Sequence, residues 1–190
     1  MSDEPIDTFS PEERDRLCSN LDALHQEVER GGFSGRSIDR ALAEEINRRL
    51  WAGIRNYGGR VRRRGEGPEV LIILGHRSPV RDDVPRLLDE LLTRVARHCR
   101  DLGDGAAAVD IIGVAATAHV ELIRLQPFTD GNKRTARLLL SIILVRLGLN
   151  AVNFGVPRQD YVSALAAGFG GEMGPMTDLV IDLLAAQVRT

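Results

Sequence analysis

Two long apolar stretches, joined by a short polar loop that carries a glycine, constrain this chain more than any other feature. From Ala106 to Leu125 the charged or hydroxyl-bearing residues are Asp110, Thr117, Glu121 and Arg124, a narrow stripe at helical spacing. A helix so patterned is buried on most of its sides. Pro127 stops it, and Thr129-Asp130-Gly131-Asn132 turns the chain. A second helix is expected from about Asn132 to Leu147, nearly all apolar beyond Arg137 and ended by Gly148. Neither stretch suits a bilayer: the longest mostly apolar run, Leu138 to Val145, falls far short of the roughly 18–20 residues a span needs. Two buried helices around a sharp turn therefore form the centre of a mainly α fold.

The rest of the 190 residues fits one globular unit around that centre. Leu17, Leu21, Leu24 and Val28 mark an amphipathic helix, with Pro11 near its start and Gly31-Gly32 at its end. Residues 1–36 are read as an N-terminal helix packing on the core, and 37–190 as the main domain. Ile38, Leu42, Ile46 and Leu50 stripe a second helix, with Ser37 as expected N-cap. Val84, Leu87, Leu88, Leu91, Leu92, Val95 and Cys99 stripe a third, with Asp82-Asp83 expected to cap it and suit its dipole. Between these lies a different texture. Val70–Leu74, bounded by Pro68 and Gly75, reads as a strand. The stretch around Val61 is its expected hairpin partner, and the Arg60–Arg64 cluster reads as a solvated edge or as an anion or partner contact. Two more helices are expected near Pro157–Gly168 and Pro175–Val188.

Composition excludes several classes. A net charge of −2 gives no basic field for nucleic acid. The acidic N-terminus has no apolar segment of a secretory signal. Cys18 and Cys99 form no disulfide framework and are expected as reduced thiols of a cytoplasmic protein without membrane association. Of 25 basic residues only Lys133 is lysine, and it falls inside the polar loop.

That loop carries the chemistry. The N-terminus of the second central helix leaves backbone N–H groups unpaired at a positive dipole end. Asp130-Gly131-Asn132 lets successive N–H groups converge into an anion-binding nest. Lys133, Arg134 and Arg137 follow, with Arg134 and Arg137 on one helix face. Three cations there oppose the dipole unless an anion binds, and polyphosphate is the natural candidate. A basic solvated turn is the competing reading. Asp130 stands where a Mg²⁺ ligand would sit. The pattern is not a P-loop.

Gln126-Pro127-Phe128-Thr129-Asp130-Gly131-Asn132-Lys133-Arg134-Thr135-Ala136-Arg137 resembles the signature of the Fic family, His-Pro-Phe-x-[Asp/Glu]-Gly-Asn-[Gly/Lys]-Arg-x-x-Arg, at every defined position but the first. The likeness runs over roughly residues 37–150, through Ile46–Gly53, Tyr57–Arg60 and the helix that bears His119. It implies a Fic fold, a helical bundle with a small β-hairpin flap beside the active-site loop. It also implies nucleotide chemistry: most members transfer AMP from ATP to a protein hydroxyl, and some move phosphate, UMP or phosphocholine. By position, Asp130 would hold Mg²⁺, the Gly131–Arg134 backbone and the Asn132 side chain would grip the α- and β-phosphates, Arg134 would brace the diphosphate, and Arg137 would reach the terminal phosphate. Arginine suits these roles as a permanently charged fork. Lys133 is shared with the phosphate-transferring Doc toxins, whereas Arg137 favours nucleotidyl transfer. Phe128 would anchor the loop. The flap strand Val70–Leu74 would hold the acceptor, a protein or a small molecule offering a hydroxyl or an anion, by β-augmentation; packing over the helices is the other reading of it.

Gln126 departs from the pattern. The family has there a histidine that acts as general base, and a glutamine does not titrate near neutral pH. Loss of a general base typically costs about 10²–10⁴-fold. Three explanations stand open: nucleotide binding without turnover, a pseudoenzyme; a variant reaction whose nucleophile is already ionised or whose substrate supplies the base; or an engineered inactivation. His119 shares a helix face with Gln126 but lies about 10 Å away by helical rise, and reads as a buried structural residue. His76 and His98 read as surface residues, and His25 has no visible partner. The self-inhibiting [Ser/Thr]-x-x-x-Glu-[Gly/Asn] pattern of many relatives is not matched: Thr8–Glu13 fails at its last position. The expectation is an atypical Fic-type nucleotidyl- or phosphoryl-transferase using Mg²⁺ and ATP or another nucleotide.

Overall fold

The computed structural model describes residues 9–63, 68–103 and 105–188. In chain order it contains α1 (Pro11–Glu29), α2 (Arg40–Leu50), β1 (Ile72–Ile73), β2 (His76–Arg77), a 3-10 turn at Arg81–Asp83, α3 (Val84–Leu102), α4 (Ala108–Leu125), α5 (Asn132–Arg146), α6 (Arg158–Phe169) and α7 (Gly174–Val188). It is a helical bundle with one small hairpin, as the sequence pattern predicts.

The two apolar stretches form its centre. α4 packs against α3, α5, α6 and α7, and α5 also meets α1 and α2. Ala115, Ala116, Ala118, Val120, Leu122 and Ile123 of α4 are at most 1% exposed, as are Leu138, Leu139, Leu140, Ile143 and Leu144 of α5. Close helix contact is visible at Gly168 of α6, where an added Cβ would lie 2.8 Å from a methyl of Val120. α1 contributes Leu17, Leu24 and Val28 to the same core. Its start is a complete capping box: the Ser10 hydroxyl accepts from Glu13 N–H, and the Glu13 carboxylate accepts from Ser10 N–H. Thr8 lies outside the described residues. Among the described residues no helix is long and apolar enough to cross a membrane, and Cys18 and Cys99 are free thiols.

Two caps differ from expectation. Asp39, not Ser37, caps α2, its carboxylate accepting from Leu42 N–H at 2.9 Å. Ile38 is buried just ahead of the helix, so the helix begins two residues later than the apolar stripe implies. Asp83 precedes α3 but its side chain makes no cap bond; it turns to Arg86 at 3.4 Å, because the 3-10 turn already puts Asp83 in helical geometry.

The hairpin is the larger correction. The expected strand Val70–Leu74 is reduced to Ile72–Ile73, and it pairs with His76–Arg77 rather than with Val61. Leu74 (φ 49°) and Gly75 (φ 76°) make a tight two-residue turn, the left-handed pair such hairpins require. Val61 instead bridges Phe128, and Arg62 N–H donates to Pro127 O at 2.8 Å. The arginine cluster is therefore not wholly a solvated edge. Arg62 is 1% exposed, while Arg64 lies outside the described residues.

Candidate active site

The site is built at the junction of α4 and α5. Gln126 ends α4 in the left-handed region (φ 50°), its N–H bonding back to Leu122 O and Ile123 O. Gly131 starts α5, also left-handed (φ 76°). Phe128, 1% exposed, anchors the loop in the core. Asn132 staples it: Phe128 N–H donates to Asn132 Oδ1 at 2.8 Å, and Asn132 Nδ2 donates to Phe128 O at 2.8 Å and to Gln126 Oε1 at 3.1 Å. Both amide protons of Asn132 thus serve the loop. The Gln126 amide is tied inward as well, Nε2 donating to Ile123 O at 2.6 Å.

α2 forms a platform beneath the turn. Asn47 Nδ2 donates to Asp130 O at 2.9 Å and to Thr135 Oγ1 at 3.1 Å, and Asn47 Oδ1 accepts from Gly59 N–H at 2.8 Å. Trp51 packs so closely that a Cβ on Gly131 would lie 2.7 Å from its Nε1; only glycine fits there. The Asp130 carboxylate folds onto Gly131 N–H at 2.5 Å and is half-buried at the edge of the cleft.

Two arginines are held by aromatic faces. The Arg134 guanidinium lies 5.9 Å from the Trp51 ring centre. Arg137 lies 4.3 Å from that of Tyr161 and 5.0 Å from that of Phe154. Such stacking holds a cation without neutralising it. Among the described residues, neither arginine makes an ion pair with a carboxylate. Glu13 pairs with Arg55 instead. Behind Tyr161, its hydroxyl and His119 Nε2 are 2.9 Å apart. His119 is fully buried, and burial pushes its pKa down to about 3, so it is neutral, as expected of a structural histidine.

These parts surround a cleft of about 550 Å³. Gln126 and the loop form its floor, with Lys133, Arg134 and Arg137 on one side. Ile72–Gly75 of the hairpin form a wall, and Arg158 and Val162 of α6 close it. All seven site residues picked from the sequence, Gln126, Asp130, Gly131, Asn132, Lys133, Arg134 and Arg137, line this one cleft. His98 is exposed, whereas His25 and His76 are half-buried. His76 Nε2 accepts from Arg124 Nε at 3.3 Å and its ring lies 5.3 Å from Phe169; burial and then Arg124 lower its pKa.

Sequence reasoning missed four contributors. Asn47 sits on the buried face of α2 among Leu42, Ala43, Ile46 and Leu50; a polar residue on an apolar stripe needs a partner, and that was the available clue. Arg158 and Tyr161 gave none, being ordinary helix residues. Arg62 was masked by its arginine neighbours. Its Nε donates to Gln126 O at 2.6 Å and its Nη2 to Ser78 Oγ at 3.2 Å, so it ties the hairpin segment to the loop.

Among the described residues one acidic residue, Asp130, lines the cleft, and no group of three or more His, Cys, Asp or Glu converges. That donor set fits Mg²⁺, which takes one or two carboxylates and completes its shell with water and substrate phosphates.

Known proteins place this architecture. Over 174 residues the chain is 32% identical to the protein adenylyltransferase fic-1 of Caenorhabditis elegans, covering 90% of this chain and 30% of that protein. It is 41% identical over 70 residues to the protein adenylyltransferase Fic of Nematostella vectensis, covering 36% of this chain and 16% of that one. The chain thus spans less than a third of the curated relatives it matches. A crystal structure of BepC from Bartonella tribocorum with bound AMPPNP superposes with TM-score 0.71 at 17% identity, covering 90% of this chain and 86% of that one. Fic-1 of C. elegans superposes with TM-score 0.68 at 25% identity, covering 100% and 52%. The Fic/DOC family profile matches residues 37–144, more than half of a chain whose fold and loop agree with it, and the chain belongs to the Fic/DOC family.

Proposed function

We propose that the cleft binds a Mg²⁺–nucleoside triphosphate and that the chain is an atypical Fic-type transferase, moving a nucleotidyl or phosphoryl group to an acceptor without a general base at position 126. The observation that carries this reading is the pair Arg134 and Arg137. Both follow a left-handed glycine at a buried helix start, both rest on aromatic rings, and neither is neutralised by a carboxylate. Such an arrangement is unfavourable until an anion enters it. The adenylyltransferase names of the relatives and the AMPPNP bound by BepC support a nucleotide as that anion.

In this reading the α5 N-terminus accepts the phosphates, Arg134 braces the α/β pair and Arg137 meets the terminal phosphate. Asp130 would hold Mg²⁺, which when bound neutralises phosphate charge and organises the leaving group. Transfer of this kind depends chiefly on positioning and electrostatics, and those are what the loop supplies. Gln126 takes no proton; its amide fixes the turn.

Titration calorimetry with Mg²⁺ and ATP, ADP or AMP tests this. Arg137→Ala weakens ATP binding at least tenfold and AMP binding less than twofold, and Asp130→Ala removes the Mg²⁺ dependence. Equal losses for ATP and AMP would reject the assignment of Arg137. Labelled nucleotide that binds but never reaches any acceptor would leave a binding module in place of the transferase.

A further inference from the structure

The seat of Arg137 is a box of three rings, drawn from α4, α6 and the segment between α5 and α6. Its guanidinium lies 4.3 Å from the ring centre of Tyr161 and 5.0 Å from that of Phe154, whereas Arg134 has a single, more distant ring at 5.9 Å. Tyr161 and Phe154 meet edge to face at 5.6 Å. His119 stacks on Phe154 at 5.3 Å and meets Tyr161 edge-on at 5.8 Å. His119 Nε2 and the Tyr161 hydroxyl, 2.9 Å apart, tie the far side of the box to α4. His119 is fully buried and Tyr161 is 4% exposed, so the phenol ring has little room to turn. His119 is neutral there and sets no like charge against the arginine. Among the described residues, the Arg137 Nε is buried without an acceptor and no carboxylate pairs with the side chain. The rings are therefore what hold it.

Reach makes that seat matter. Arg137 follows Asn132 by five residues, about 7.5 Å along the axis of α5, so it serves the far end of an anion whose near end sits at the helix start. A loose arginine spreads its charge over many rotamers and loses that freedom when it binds. Aromatic faces hold a cation without neutralising it, most strongly where water is excluded. A charge held in place beforehand binds without the ordering cost. We infer that Tyr161 is a specificity-determining positioning residue: its ring, fixed by His119 and Phe154, keeps Arg137 at the reach of a third phosphate, so that the cleft favours a nucleoside triphosphate over the diphosphate. This rests on the nucleotide reading above. Tyr161 is not among the described residues lining the cleft, while Arg137 is, so the ring acts through the arginine. The loop at the helix start is built separately, on Asn132, Asn47 and Trp51. Loss of the ring therefore removes the preference without removing the site.

Calorimetry on the full chain with Mg²⁺ and ATP or ADP is the test. The native chain is expected to prefer ATP at least tenfold. Tyr161→Leu weakens ATP binding by about three- to tenfold and ADP binding less than twofold. Tyr161→Phe keeps the ring and gives up the hydroxyl, and it holds the ATP-to-ADP ratio within twofold of the native value. In an Arg137→Ala background Tyr161→Leu costs ATP binding less than twofold, because a positioning residue then has nothing to position. If urea titration shows that Tyr161→Leu does not fold, Phe154→Leu decides: this less buried ring is expected to cost ATP about two- to fivefold and ADP less than twofold. The inference is overturned if the ring variant weakens ATP and ADP alike or weakens neither. It is also overturned if Tyr161→Phe loses as much as Tyr161→Leu, or if the loss persists without Arg137. A native chain that binds neither nucleotide, or binds both alike, sinks the nucleotide reading and this inference with it. A native chain that prefers ATP, with the preference intact in Tyr161→Leu, sinks the role of Tyr161 alone.

Discussion

At the scale of single residues, Arg62 joins parts of the site that the chain keeps apart. Its guanidinium, 1% exposed, donates to Gln126 O and to the Ser78 hydroxyl. Ser78 in turn accepts from Leu71 N–H at 2.9 Å. One side chain thus braces a left-handed residue at the cleft floor and the segments that flank the hairpin wall. Burial, with Arg81 nearby, pushes its pKa down to about 10, so it remains charged at neutral pH. Hydrogen bonds from a charged donor are worth about 1.5–3 kcal/mol each, and their loss leaves Gln126 O buried without its partner. Arg62→Met is therefore expected to destabilise the fold by about 2–4 kcal/mol. Hydrogen exchange should quicken at residues 68–78 and 126–131 before it quickens in α3 or α7. Uniform quickening across all helices would reduce Arg62 to a packing residue. Sequence reading identified the arginine cluster but not this member's burial, because four arginines in five positions read alike until the backbone selects the one that turns inward.

At the scale of elements, what was legible followed the length of the pattern. Helix α3 repeats its apolar face and α4 its narrow polar stripe over about five turns, so the period fixed them, while α5 was legible as a long apolar run between the polar loop and Gly148. The hairpin has two residues in each strand, too few to show a period, and its pairing was misread. The turn decided it: Leu74 and Gly75 both lie at positive φ, which closes β1 directly onto β2 and leaves Val61 to the motif loop. Leucine is a poor residue there, since a left-handed conformation costs an L-residue with a full side chain about 1–2 kcal/mol. Asparagine before glycine suits such turns. Leu74→Asn is accordingly expected to stabilise the hairpin by about 0.5–1 kcal/mol, read as slower hydrogen exchange of Ser78 N–H, which donates to Leu71 O at 2.8 Å at the base of the hairpin. The same change removes apolar surface from the cleft wall, so it should also raise the KM for an acceptor with an apolar body. Slower exchange with an unchanged KM would show that the leucine does not touch the acceptor.

At the scale of the whole molecule, the site draws on α2, the hairpin, the α4–α5 loop and α6, all pinned to the same core. The motif supplied the loop residues from sequence, but their supports at Asn47, Arg62, Tyr161 and Arg158 lie far apart in the chain and meet only in the fold. His119 shows how tightly core and site are joined. It is buried in α4, hydrogen-bonded to Tyr161 and stacked on Phe154 at 5.3 Å, the two rings that hold Arg137. Burial is the main cause of its low pKa of about 3; a backbone contact at Ala136 opposes the shift, and Arg137 adds to it. The unfolded chain binds this proton below about pH 6.5, whereas the folded chain holds the imidazole neutral down to about pH 3. Between those values the unfolded state carries more protons, so stability falls as pH falls, by up to about 1.4 kcal/mol per pH unit from this group. Carboxylates add their own slope below about pH 5, and the half-buried His25 and His76 shift in the same direction. A comparison with His119→Gln isolates the term. The variant is expected to be less stable than the native chain at pH 7.5, and the gap should narrow steadily from pH 6.5 to 5 in urea titrations. A gap that stays constant with pH would mean that His119 titrates alike folded and unfolded, and that water reaches the ring cluster behind Arg137.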